Sequence, residues 1–225
     1  MTTRSVPDEQ FDVLGIRCGK EYPGRAMSLL GDYVKITGQR LCAEREVLFA
    51  TALLSPEQGD VLEIGSYKGN SLALLSIACE VRGDSRVLSI DCNLRNNPSP
   101  LNNTWFETEW PCVGMRYTLR ELGVAHLTML LSADSKDAWR YIRGQYRLIH
   151  IDGNHSLPYV VNDIERYTPM LVPGGWLAVH DYEQAPLDVT RGCVEMMRPD
   201  DWDSIYRIEN TLFARRRGSH EDCDD

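Results

Sequence analysis

The sequence predicts an α/β protein built on a Rossmann-like, doubly wound parallel sheet, and three observations predict it. Short apolar runs alternate with helix-length amphipathic segments along most of the chain, which is the pattern of strand–helix–strand units. Two of these runs, Tyr146–Ile151 and Trp176–Val179, end in ionisable residues, Asp152-Gly-Asn-His155 and His180-Asp181. A glycine-bearing turn, Gly65–Gly69, directly follows an earlier run. In open parallel sheets ligands bind beyond the carboxyl ends of the strands, so all three groups of residues are expected at one edge.

The elements follow in order. Residues 26–54 carry apolar residues at helical spacing (Leu29, Leu30, Tyr33, Val34, Ile36, then Leu41, Val47, Leu48, Leu53) and predict two helices ahead of the sheet. Asp60–Gly65 reads as a first strand, Asn70–Val81 as a helix and Arg86–Asp91 as a second strand. Residues 92–112 are rich in Asn and Pro and hold Trp105, Phe106 and Trp110. A loop of that length is expected to be functional or disordered. With Tyr117 it reads equally as a lid over a substrate or as a small hydrophobic cluster of its own. Arg116–Leu122 predicts a helix, Leu127–Leu131 a third strand and Asp134–Ile142 a further helix. Tyr146–Ile151 and Trp176–Val179, joined by a helix and a Pro-Gly-Gly turn, predict parallel strands with a right-handed crossover. Thr190–Met197 reads as a last helix, and Ser204–Ile208 with Thr211–Ala214 as an antiparallel pair closing around Glu209-Asn210. This divides the chain into an N-terminal helical cap (1–55), a ligand-binding domain (56–217) and a solvated, disordered acidic tail (218–225).

Composition narrows the function. The 225 residues are 43% hydrophobic, enough for one sizeable core. No apolar run approaches the roughly 20 residues of a membrane span, and MTTRSVPDEQFD lacks the apolar stretch of a secretory signal. Seven cysteines without CxxC spacing read as reduced cytoplasmic thiols, not a disulfide frame or a zinc site. A net charge of −9 argues against nucleic acid as a partner.

Two clusters carry chemistry. In VLEIGSYKGNS (61–71), Gly65 and Gly69 permit a tight turn and close approach of backbone to ligand. The helix beginning near Asn70 and Ser71 offers free N–H groups to a carboxylate or phosphate. Asp91, ending the second strand, is placed to accept hydrogen bonds from ribose hydroxyls. The turn is neither GxGxxG nor a P-loop, because Tyr67 stands at the middle glycine position and no Lys-Ser/Thr ends it. The second cluster is Asp152, His155, His180 and Asp181. Two carboxylates and two imidazoles are costly to hold together without a metal, a substrate or a proton to transfer.

LEIGSYKGNS resembles the first motif of class I S-adenosylmethionine-dependent methyltransferases, in particular the catechol O-methyltransferase-like branch. The segment IDGNHS…D…P.L.PGGWLAVHDY resembles the small bacterial methyltransferases related to macrocin and mycinamicin sugar O-methyltransferases. The resemblance covers about residues 36–215 and implies a seven-stranded sheet with a reversed C-terminal hairpin. It implies that Gly65 and Gly69 line the methionine part of S-adenosylmethionine, that Ser71 binds its carboxylate and Asp91 its ribose, with Glu63, Ser66 and Tyr67 also at the cofactor. Ala133 and Asp134, with Ser135, would lie at the adenine; Asp134 also fits a helix N-cap.

The resemblance further implies a divalent ion, magnesium or manganese, held by Asp152, His180 and Asp181, with Asp152 also at the cofactor and His155 as catalytic base. Binding a hydroxyl to a cation lowers its pKa, and a nearby imidazole can then take the proton near neutral pH. The related enzymes carry an acidic residue where this chain has His180. Imidazole suits manganese, iron or zinc better than magnesium, so either the metal differs, His180 is a base or a neighbour of the ligands, or no metal binds. His150, inside a strand, reads as a core histidine. Asp163, on the following helix, reads as solvated or capping, and Asn154 as serving either the metal or the turn. His126 and His220 have no supporting context.

The expected function is therefore metal-assisted O-methylation of a small hydroxylated metabolite, a sugar or antibiotic-like natural product. The alternatives are N-methylation of an amino sugar, a hydroxylase-type enzyme on the same fold, or a non-catalytic binding protein. A homodimer or larger homo-oligomer is expected, because residues 1–35 exceed what the core needs.

Overall fold

The structure, a computed structural model, describes residues 4–5, 22–55, 57–92 and 111–218. Trp105, Phe106 and Trp110 of the expected lid, His220, and nearly all of the N-terminal arm and acidic tail lie outside the described residues. In chain order the strands are β1 (Arg4–Ser5), β2 (Asp60–Ile64), β3 (Val87–Ile90), β4 (Thr128–Leu131), β5 (Tyr146–Ile151), β6 (Leu171–Val179), β7 (Trp202–Ile208) and β8 (Thr211–Arg216). The helices are α1 (Gly24–Thr37), α2 (Ala43–Leu54), α3 (Asn70–Arg82), α4 (Pro111–Glu121), α5 (Ser135–Ala138), α6 (Leu157–Tyr167) and α7 (Asp188–Met196).

One sheet runs through the molecule in the order β1-β7-β8-β6-β5-β2-β3-β4. β4, β3, β2, β5 and β6 run parallel to one another, and β8 is antiparallel to both β6 and β7. This is the expected seven-stranded sheet with its reversed hairpin, extended by the two-residue β1, which pairs parallel to β7. The order reverses at β2 and β5, so the chain leaving β2 and the chain leaving β5 meet at the switch point where ligands bind.

Alternation along the strands separates two cores. Val61, Val87, Leu148, Trp176, Ala178 and Phe213 face α1, α2, α3 and α4. Leu62, Ile64, Ile90, Ile149, Ile151, Leu177 and Val179 face α5, α6 and α7. The segment expected as a cap thus shares a core with α3: Tyr33, Phe49 and Ala50 are buried against it.

Three expectations need correction. The Pro-Gly-Gly segment is not a turn between helix and strand. It lies inside β6, whose pairing with β5 jumps from Leu171 to Trp176, with Gly174 at φ 78°. The helix expected over Asp134–Ile142 is only the four residues of α5, because Trp139 to Ile142 break into turns. Asp163 is fully buried, not solvated. Asp163 lies on α6 with Val160, Ile164 and Tyr167, which are also buried, so it occupies the core-facing stripe of that helix.

Candidate active site

The turn after β2 is built by two glycines and one aspartate. Gly65 has φ 85°, and a Cβ there would come within 2.2 Å of the Asp152 carbonyl oxygen. Only glycine lets the chains leaving β2 and β5 touch. Gly69 has φ 81° and caps α3; a Cβ there would meet Met115 Cγ at 2.3 Å. Between them Tyr67 is held at φ 45°. Asp91 fixes this turn: one carboxylate oxygen accepts the N–H groups of Ser66 (3.0 Å) and Tyr67 (2.8 Å). Ser71 lies in the first turn of α3, where free N–H groups and the helix dipole favour a carboxylate.

Glu63 stands behind this turn, not on its open side. It is fully buried, accepts the Ser89 hydroxyl at 3.2 Å, and lies 3.5 Å from Nδ1 of His150, its partner across β2 and β5. His150 is the core histidine expected. Ala133 and Asp134 follow β4. Asp134 caps α5 by accepting the Lys136 N–H (2.9 Å), and its other oxygen accepts the Tyr159 hydroxyl (2.9 Å).

Asp152, His155, His180 and Asp181 converge as an alternating ring. His155 Nε2 lies 3.4 Å from Asp152 Oδ1, and its Nδ1 3.1 Å from Asp181 Oδ2. His180 Nδ1 lies 3.2 Å from the same Asp152 Oδ1 and 3.2 Å from Asp181 Oδ1. Asp181 holds φ 57°, a strained backbone at the centre of the site. Burial would raise the Asp152 carboxyl, but the imidazoles of His155 and His180 beside it hold it well below the usual carboxylate range. The bond to Asp152 raises His155 against the opposing effect of burial. Burial would lower His180, but Asp152 and Glu44 outweigh it and push it up to about 10. Asn154 serves the turn, accepting the Ser156 N–H at 2.9 Å.

The donor set fits a divalent ion, with one change to the expected ligands. Asp152, His155 and Asp181 present ligand atoms within 4.8 Å of one another. His155, expected as base, is in that set, and His180, expected as ligand, stands beside it. The buried Nδ1 of His180 lacks a hydrogen bond although two carboxylates face it. An imidazole among the donors favours manganese, iron or zinc over magnesium.

Sequence reasoning missed Glu44. It enters from the first turn of α2 and places one oxygen 3.5 Å from His180 Nε2. An acidic residue in the first turn is ordinary for any helix, so nothing in the sequence marked it. With Cys42 and Glu209 it forms a second convergent group.

Residues 62–182, just over half of the chain, match the family model described as a methyltransferase domain. The chain belongs to the methyltransferase-domain family. Comparison with curated protein sequences gave no match. Solved structures of other methyltransferases share its fold. One is the methyltransferase PaMTH1 of Podospora anserina bound to S-adenosylhomocysteine (TM-score 0.61, 14% identity, 96% of this chain and 99% of that one). Another is CalS11, a TDP-rhamnose 3'-O-methyltransferase of calicheamicin biosynthesis (0.58, 13%, 88% and 97%). A third is an rRNA methylase from Streptococcus thermophilus (0.57, 16%, 80% and 99%). The Gly65–Ser71 turn and Asp91 of the methyltransferase lie beyond β2 and β3, on the carboxyl edge of the parallel sheet, where open sheets of this kind bind ligands. Among the described residues no helix is long and apolar enough to cross a membrane.

Proposed function

We propose that this methyltransferase transfers the methyl group of S-adenosylmethionine to a hydroxyl of a small metabolite, a sugar or related natural product, with a divalent ion assisting. The observation that carries the reading is the contact between the two clusters: the Gly65 turn touches Asp152 backbone, and Asp152 opens the His–carboxylate ring. A methyl donor on the turn and a hydroxyl on the ring would be neighbours.

Gly65, Ser66, Tyr67 and Gly69 would cradle the methionine part, Ser71 its carboxylate, Asp91 the ribose, and Ala133 and Asp134 the adenine. Asp152 and Asp181, with His155 or His180, would hold the ion, which when bound lowers the pKa of a hydroxyl. The imidazole left outside the ligand set accepts the hydroxyl proton. The oxygen then attacks the methyl carbon as the carbon–sulfur bond breaks, leaving S-adenosylhomocysteine. The sheet edge contributes chiefly by holding the two reactants in line.

Titration calorimetry with S-adenosylhomocysteine, then with Mn²⁺ before and after EDTA, tests the reading. Expected are cofactor binding without metal and a second, EDTA-sensitive heat that Asp152→Ala loses. Methyl transfer to a hydroxylated acceptor should fall by about 10²-fold or more in that variant, as for loss of a charge-stabilising group. Activity that survives EDTA and Asp152→Ala would sink the metal-assisted step; absence of cofactor binding would sink the whole reading.

A further inference from the structure

The ring of His180 faces carboxylates at both nitrogens. Nδ1 faces Asp152 and Asp181, 3.2 Å from an oxygen of each. Nε2 faces Glu44 at 3.5 Å. A carboxylate on the far nitrogen of an imidazole fixes the ring's orientation and tautomer and raises the basicity of the near nitrogen.

Glu44 is itself anchored. Its Oε2 accepts the Asn210 N–H (3.3 Å) and the Thr211 hydroxyl (3.1 Å). In return Glu209 accepts the backbone N–H of Glu44 at 3.3 Å. The same hairpin turn holds the loop that follows Asp181: the Asn210 carbonyl accepts the Tyr182 N–H (2.8 Å), and its side-chain oxygen accepts the Gln184 amide (2.5 Å). Asp181 and Glu209 both sit at positive φ, 57° and 50°. Such conformations persist only where the surroundings over-determine them. Glu44 joins the two strained segments to the imidazole between them.

We infer that Glu44 is a positioning residue for the transfer reaction: through Nε2 it keeps Nδ1 of His180 on the Asp152–Asp181 edge, as the imidazole that joins those two carboxylates in holding the ion. The helix pair ahead of the sheet is then part of the active centre. This rests on the metal-assisted reading above.

Two rival roles are separable. Glu44 could merely tie α2 to the hairpin, or it could bind an ion itself with Cys42 and Glu209. The test measures Mn²⁺ affinity by the electron paramagnetic resonance signal of free Mn²⁺, and S-adenosylhomocysteine affinity by calorimetry, on the full chain. Glu44→Ala is expected to weaken Mn²⁺ about 10- to 100-fold and to change cofactor affinity less than about twofold. Glu44→Gln keeps an acceptor for the imidazole N–H and is expected to recover part of the loss. In a His180→Ala background, Glu44→Ala should cost nothing further.

The inference is overturned if Glu44→Ala binds Mn²⁺ like the parent, or if the loss persists without His180. A parent that binds cofactor but no Mn²⁺ removes the metal-assisted reading and this inference with it. A parent that binds both, with Glu44→Ala unaffected, removes the inference alone.

Discussion

Asp163 shows how one residue sets a pH dependence for the whole domain. Burial pushes its carboxyl up to about 6, against the partial relief of hydrogen bonds from Ser135 and Asn162. One oxygen takes the Asn162 amide (3.0 Å), while the other has no hydrogen bond and lies 3.7 Å from where a Cβ on Gly153 would be. The folded protein therefore holds a proton that the unfolded chain, with the carboxyl near 3.8, has released. Between about pH 4 and 6 the folded state binds more protons, so stability falls as pH rises through this window. The shift corresponds to about 3 kcal/mol at most. Asp163→Asn should remove this loss. Urea denaturation is expected to show the variant gaining on the parent from pH 4 to pH 7, and a pH-independent difference would refute the assignment.

At the scale of elements, two arginines and one glycine do unexpected work. Arg147, in the apolar run of β5, is fully buried at the register shift between Tyr146 and Leu148. It donates to the Ala52 carbonyl (2.7 and 3.2 Å) and to that of Gly59. Arg82 donates to the carbonyls of Leu53, Ser55 and Glu57. Both cations thus satisfy carbonyls left free at the end of α2 and favour its dipole, which fixes the helix that delivers Glu44. On the other face α6 and α7 cross at Gly192, where a Cβ would lie 2.5 Å from Val160 Cγ1. Gly192→Ala forces these helices apart or Val160 into a strained rotamer. It should destabilise by about 1–3 kcal/mol, the usual cost of overpacking. Thermal unfolding would register it, and an unchanged midpoint would show that the crossing is loose.

For the whole molecule, charge separates neighbours that the fold alone does not. A sugar O-methyltransferase and an rRNA methylase share this architecture at similar TM-scores. RNA binding demands a basic face that releases counterions. This chain has 24 Lys and Arg against 33 Asp and Glu, net −9, and its candidate site is itself rich in carboxylates. Fluorescence anisotropy with rRNA hairpins at physiological salt should show no binding, whereas S-adenosylhomocysteine at a hundred times its Kd should stabilise the fold by about 2.7 kcal/mol. Tight, salt-sensitive RNA binding would overturn the small-acceptor reading.

The sequence by itself determined the sheet, its reversed hairpin and the edge on which the candidate site lies. Strand and helix periodicity is local, and so is the placing of Asp152, His155, His180 and Asp181 just past two strands. It also marked the glycines of the turn after β2, because a positive φ leaves its trace in residue type. Only the tertiary structure decided what depends on packing across the sheet. It buried Asp163 and placed Glu63 behind the turn. It put the Pro-Gly-Gly segment inside a strand and brought His155 into the convergent set beside His180. It also carried Glu44 from an ordinary helix start to an imidazole more than half the chain away, a meeting that no spacing along the sequence encodes.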